Sequence, residues 1–190
     1  AMTLAQNIRS FTILLAAVVL TACGGAPKPD NIKAPTNLVK KPVVDARAPG
    51  IPSPAIDAFI AGVNALQAKP IDYKGASQAF QKAVDHHDQY VVAWLNLAFS
   101  YEKLGRNAKA AEAYRALIRM SVIDKSVNLA LGKALLLSGE ADQAIIEFES
   151  VLRADPANLQ ARNNLAAAYL KKGDVETSLR FVKEVLAVQP

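Results

Sequence analysis

Trp94-Leu95-Asn96-Leu97-Ala98-Phe99-Ser100-Tyr101, followed by Gly105 and then by Ala110-Ala111-Glu112-Ala113-Tyr114-Arg115-Ala116-Leu117, is the stretch that decides the fold. Apolar residues recur three and four apart on both sides of the glycine, the spacing of two amphipathic helices joined by one turn. The pattern returns 34 residues later as Asn128, Leu131, Gly132, Leu135, Gly139, Ala144, Phe148 and Val151. It returns again as Arg162, Leu165, Ala166, Tyr169, Gly173, Ser178, Val182 and Val185, and Ala76, Phe80 and Ala83 stand upstream in the same phase. Pro156 and Pro190 close two of the units. One helix pair cannot bury its apolar face alone, so a fixed period of this length predicts an array in which stacked neighbours share a core.

The pattern of aromatic, Leu, small and aromatic residues, then Ala, aromatic, Ala and Pro, at a period of 34 resembles the tetratricopeptide repeat. The resemblance covers 57–90, 91–124, 125–158 and 159–190. It implies an all-α solenoid, a right-handed superhelix of about four helix-turn-helix units. The first unit departs most, with Ile60, Val63, Asn64 and Gln67 at the key places of its first helix and Pro70 shortening its turn, which suits a capping unit.

Composition agrees with a helical body. Apolar residues make up 52% and charged residues 21%, enough for a packed core, while the 6% aromatic content beside abundant Ala and Leu argues against a sandwich or barrel. The net charge of +5 suggests nucleic acid until it is located. Residues 24–55 carry Lys28, Lys33, Lys40, Lys41 and Arg47 against Asp30 and Asp45, and Arg9 adds one more, so the chain from Ile56 onward is within one charge of neutral. That body lacks the electrostatic footprint of a nucleic-acid binder.

The front of the chain reads as an address. Arg9 precedes Phe11-Thr12-Ile13-Leu14-Leu15-Ala16-Ala17-Val18-Val19-Leu20, an apolar run too short to span about 30 Å of hydrocarbon as a helix, and residues 1–22 are expected to be a signal peptide. Leu20-Thr21-Ala22-Cys23 resembles the bacterial lipobox, which implies that Cys23, the one cysteine of the chain, becomes the lipidated N-terminus. Several acyl chains at about 0.8 kcal/mol per buried methylene anchor a protein firmly. Gly24 stands where Asp would resemble an inner-membrane retention signal, so the expected location is the outer membrane, lipid-anchored, with the body in the periplasm. Apart from this acyl modification no cofactor is expected.

Residues 23–55 hold Pro27, Pro29, Pro35, Pro42, Pro49, Pro52 and Pro54, too many prolines and too few apolar residues for a core. A disordered, semi-extended linker is expected, reaching about 90 Å at about 3.1 Å per residue in polyproline form. The repeat domain is expected over 56–190.

In the resemblance, repeat positions 2, 5, 9, 12 and 13 face a concave groove. Here these are Ala58, Ala61, Ala65, Ala68 and Lys69; Val92, Leu95, Phe99, Glu102 and Lys103; Ser126, Leu129, Lys133, Leu136 and Leu137; and Gln160, Asn163, Ala167, Leu170 and Lys171. The candidate partner-binding residues are Val92, Leu95, Phe99, Lys103, Leu129, Lys133, Leu136, Asn163, Ala167 and Leu170. Ala, Leu and Phe stand at positions 5 and 9 of the first two units, so the carboxylate clamp of chaperone-binding members is not expected. An apolar strip with a charged rim fits an amphipathic helix or extended apolar peptide. Leu179, Val182, Val185 and Leu186 on the last helix predict cover by further chain, a partner or a second copy, which makes a homo-oligomer through this end a possible arrangement.

His86 and His87 point about 100° apart on a helix, which does not suit a shared metal. Glu140, Asp142, Glu147 and Glu149 read as a solvated helix face. Neither a phosphate loop nor a nucleophile motif occurs, and no enzyme activity is expected; an enzymatic reading would need a catalytic domain beyond Pro190. Lipid-anchored arrays of this kind resemble pilotins of type IV pilus secretins and the repeat lipoproteins of tight-adherence pili and gliding motility. That resemblance implies an assembly scaffold for an envelope machine, with an accessory subunit of cell-wall or outer-membrane biogenesis as the alternative.

Overall fold

The computed structural model describes residues 50–121 and 125–188. The expected signal peptide, Cys23 and the linker up to residue 49 lie outside the described residues. Among the described residues eight α-helices follow one another and no strand occurs: α1 Ser53–Gln67, α2 Tyr73–His86, α3 Val91–Lys103, α4 Asn107–Arg119, α5 Lys125–Ser138, α6 Ala141–Ala154, α7 Leu159–Lys172 and α8 Val175–Val188. They fall into two compact units, one ending at Glu140 and one beginning at Ala141. In the first unit each of α1 to α4 packs on the next in sequence; in the second, α6 packs on α7 and α7 on α8.

The second helices of the pairs carry the predicted core row. Ala76, Phe80, Ala83, Ala110, Leu117, Ala144, Phe148 and Ser178 are fully buried, Val151 and Val185 nearly so, and Val182 is half-buried. Each first helix buries its Leu97, Leu131 or Leu165 together with a small neighbour, Ala98, Gly132 or Ala166. A further buried row was not singled out from sequence: Phe59, Ala93, Val127 and Ala161, 34 residues apart, are at most 4% exposed. Trp94, which opens the deciding stretch of the repeat, is half-buried and donates its indole N–H to the Asp88 carbonyl at 2.7 Å.

The first pair departs from the others for reasons its residues explain. α1 starts at Ser53, so Pro52 and Pro54, expected in the linker, instead cap and open a helix. Proline's missing N–H costs nothing in a first turn, and Ala55 is already fully buried. Gly62 lets α1 approach α2 closely: a Cβ there would stand 2.6 Å from the Phe80 ring. Phe59 fills the remaining space, 5.5 Å from Phe80 and 5.1 Å from Tyr90 between ring centroids.

The three turn glycines end their helices identically. Gly105, Gly139 and Gly173 have φ of 67°, 99° and 91°, a left-handed conformation that costs a residue with a Cβ about 1–2 kcal/mol. At each, the glycine N–H donates to the carbonyl three residues back and the next N–H to the carbonyl five back, as Gly173 to Leu170 and Asp174 to Tyr169. This Schellman arrangement satisfies the open carbonyls of the helix end and turns the chain directly into the next helix.

Two substitutions test this account by urea unfolding followed by circular dichroism. Gly62→Ala is expected to lower stability by about 1–3 kcal/mol through overpacking against Phe80; an unchanged midpoint would mean that the ring moves aside freely. Gly105→Ala, where open space surrounds the missing Cβ, is expected to cost about 1–2 kcal/mol from backbone strain alone.

Candidate functional site

On α3 the core side is Ala93, Leu97 and Tyr101, with Asn96 and Ser100 beside it. Steps of three and four residues keep to one helix face, so Val92, Leu95, Phe99, Glu102 and Lys103 lie away from that row. Val92 is 39% exposed, and Leu95, Phe99, Glu102 and Lys103 are half-buried. On α5 the core takes Val127, Leu131 and Leu135, while Leu129, Lys133 and Leu136 are half-buried and Leu137 is 67% exposed. In the second unit α7 buries Ala161, Leu165 and Ala168 and leaves Asn163, Ala167 and Leu170 half-buried. In both units the sequence candidates therefore sit beside the core rows and keep part of their surface open.

Local contacts hold the α3 face in place. The Phe99 ring stands edge-on to Tyr73 at 6.1 Å, and Lys103 Nζ lies 5.3 Å from the Phe99 centroid. Tyr73 was missed from sequence; its one signal is that an aromatic opens α2 where the later repeats have Asn107, Ala141 and Val175.

Glu102 is the charged group that this face withdraws furthest from water. Its Oε1 accepts the Tyr114 hydroxyl of α4 at 3.0 Å. Burial raises the carboxyl pKa above the usual range, against the opposing pull of the Tyr114 hydrogen bond and of Lys133 and Lys103. Burial likewise pushes the Tyr114 phenol up, with the Glu102 charge and the shared hydrogen bond adding to it. In the sequence Tyr114 stands out only as part of the repeat pattern, because its partner lies twelve residues away on another helix.

The other expectations meet mixed outcomes. The acidic residues do not form one solvated face: Glu140 lies in the turn before α6 and pairs with Arg115 at 3.1 Å, Asp142 pairs with Lys172 at 2.6 Å, and Glu149 accepts the Tyr169 hydroxyl at 3.4 Å. The scatter arises because each acid reaches the cation or hydroxyl nearest its own turn of helix. His86 is exposed at the end of α2, whereas His87 is half-buried with its ring 6.3 Å from Tyr90. Among the described residues no three His, Cys, Asp or Glu gather as a metal site, and no helix is long and apolar enough to cross a membrane. On α8 Leu179 and Val182 are half-buried and Leu186 is 58% exposed. On the opposite face of α3 from Phe99, a shallow cleft of about 390 Å³ runs past Trp94 and Tyr101 toward Lys109, Glu112 and Arg119 of α4.

Glu102→Gln gives a pH test of this geometry. A carboxyl whose folded-state pKa is raised contributes stability that is fully present below its unfolded pKa and lost as pH rises through the folded value. The wild-type chain should thus lose stability relative to Glu102→Gln as pH increases through the mildly acidic range. Urea midpoints of the two chains that stay parallel across that range would contradict the burial of this group.

Residues 72–121 and 135–190 match family models described as tetratricopeptide repeat. The human protein O-mannosyl-transferase TMTC3 is 29% identical over 112 residues, 58% of this chain and 12% of that protein. The small glutamine-rich tetratricopeptide repeat-containing protein 2 of Mycosarcoma maydis is 29% identical over 110 residues, 56% of this chain and 30% of that protein. The chain thus spans less than a third of the length of either relative. Among solved structures, MamA of Desulfovibrio magneticus superimposes with a TM-score of 0.61 at 17% identity, over 71% of this chain and 75% of that one. Two matches of one description that together span more than half of the chain make it a tetratricopeptide-repeat protein.

Proposed function

We propose that this chain is a scaffold or assembly factor anchored by lipid on Cys23 to the periplasmic side of the outer membrane, working for an envelope machine of the pilus, secretin or motility kind. Binding is assigned to the open faces of the first helices, with Val92, Leu95, Phe99, Lys103, Leu129, Lys133 and Leu136 in the first unit and Asn163, Ala167 and Leu170 in the second. The single observation that carries the binding reading is the partly exposed apolar row Val92, Leu95 and Phe99 on α3, steadied by Tyr73. Apolar side chains held open beside a well-packed core suit an apolar helix or peptide better than they suit water. The address rests on Leu20-Thr21-Ala22-Cys23, and the linker from Gly24 would carry the repeats away from the lipid surface.

The decisive experiment is an affinity pull-down from detergent-solubilised envelopes with the wild-type chain and a Leu95→Glu, Phe99→Glu variant whose helicity circular dichroism shows to be intact. Loss of an envelope-machine component with the variant is expected; retention of the same partners would place binding elsewhere. In parallel, Cys23→Ser should move the protein from the membrane to the soluble fraction and abolish labelling by radioactive palmitate. Persistent membrane association without label would overturn the anchor.

A further inference from the structure

The open row of α3 runs Leu95, Phe99, Glu102, so an apolar strip ends on a carboxylate. Glu102 is half-buried, and among the described residues the Tyr114 hydroxyl is the one hydrogen-bond partner of its carboxylate, with no cation within ion-pair distance of it. Lys133 on α5 and Lys103 on its own helix act on it through space only. An ionised carboxylate offers about four acceptor sites, and one neutral donor leaves most of them unused. Withdrawn charges in proteins are paired or fully hydrogen-bonded, because an unpaired one keeps its desolvation cost.

The two lysines show no matching deficit. Lys103 Nζ already lies over the Phe99 ring, 5.3 Å from its centroid, and an ammonium on a long stem such as that of Lys133 reaches water readily. The group on this face that lacks a partner of opposite charge is therefore the anion, beside Leu95 and Phe99 of the same helix.

We infer that Glu102 is a specificity-determining residue of this face, taking the Lys or Arg side chain of an amphipathic partner segment whose apolar residues rest on Leu95 and Phe99. The inference rests on the binding reading of the α3 face and deepens it by naming the chemistry of the partner. Tyr114 is the positioning residue: its hydroxyl holds one carboxylate oxygen and leaves the other for the incoming cation. A guanidinium or ammonium in this half-dry setting forms a charge-assisted pair stronger than a surface one. Protonation removes the acceptor charge, so binding should weaken as pH falls through the raised pKa of Glu102, with Tyr114, Lys103 and Lys133 as the ionisable groups that face it.

The test is selection of a displayed, randomised peptide library on the full chain, on Glu102→Gln, and on the Leu95→Glu, Phe99→Glu variant. Wild-type selections are expected to share apolar anchors with a Lys or Arg at a fixed offset. Glu102→Gln should keep the anchors and lose the basic preference, and a peptide selected on the wild type should bind it about tenfold or more weakly. Replacing the basic residue of that peptide by Gln should cost the wild type as much and Glu102→Gln little. The same motif on wild type and Glu102→Gln, or enrichment of Asp and Glu by the wild type, would overturn the assignment of Glu102 while leaving the face intact as a binding surface. Selections unchanged by Leu95→Glu, Phe99→Glu would overturn the binding face itself. Circular dichroism of each variant separates these outcomes from unfolding.

Discussion

Close approach of helices through small residues is the constraint on which the rest of the structure depends. Ala76, Ala83, Ala93, Ala98, Ala110, Ala111, Ala144, Ala161 and Ala168 are fully buried, and Gly62 leaves no room for even a methyl group against Phe80. Where backbones come this near, the remaining volume is filled by one larger side chain per layer, Phe59 and Phe80 in the first pair, Phe148 in the second unit. Alternating small and large residues at fixed intervals gives interior packing without long aromatic rows, which is how a chain with 6% aromatic residues still builds a dense core.

The same constraint produces the open face of α3. A helix pressed by neighbours along one side must spend its Ala, Leu and Tyr there, and what remains is the side that carries Val92, Leu95, Phe99 and Glu102 on α3. Because Gly105, Gly139 and Gly173 end the first helices of the last three pairs with the same two hydrogen bonds, that side returns in those pairs at a constant offset from the core row. Tyr73, Lys103 and Tyr114 then fix individual side chains on α3: an aromatic edge, a cation over a ring and a phenol on a carboxylate. These contacts hold the side chains of the open α3 face in defined positions.

Much of this was legible because it is periodic. The 34-residue recurrence of Leu97, Leu131 and Leu165, of Gly105, Gly139 and Gly173, and of Phe80, Tyr114 and Phe148 needs only counting, and these residues ended in the core and turns that the counting assigns. The row Phe59, Ala93, Val127 and Ala161 escaped notice because Ala and Val are unremarkable in helices, and a column of them marks itself only by burial. Pro52 and Pro54 misled in the other direction, since proline breaks a helix interior but suits its first turn, and composition does not separate the two.

The amino-acid order by itself determined the helical class, the unit length, the turn positions and the register of the core, all of which follow from interactions between residues a few places apart repeated at a constant interval. Only the tertiary structure decided that Tyr114 would bond Glu102, that Tyr73 would support Phe99, and that Glu140, Asp142 and Glu149 would each take a different partner. The physical reason is reach: a hydrogen bond needs about 3 Å and a defined angle between groups on different helices, and no spacing along one chain specifies that until the helices have packed.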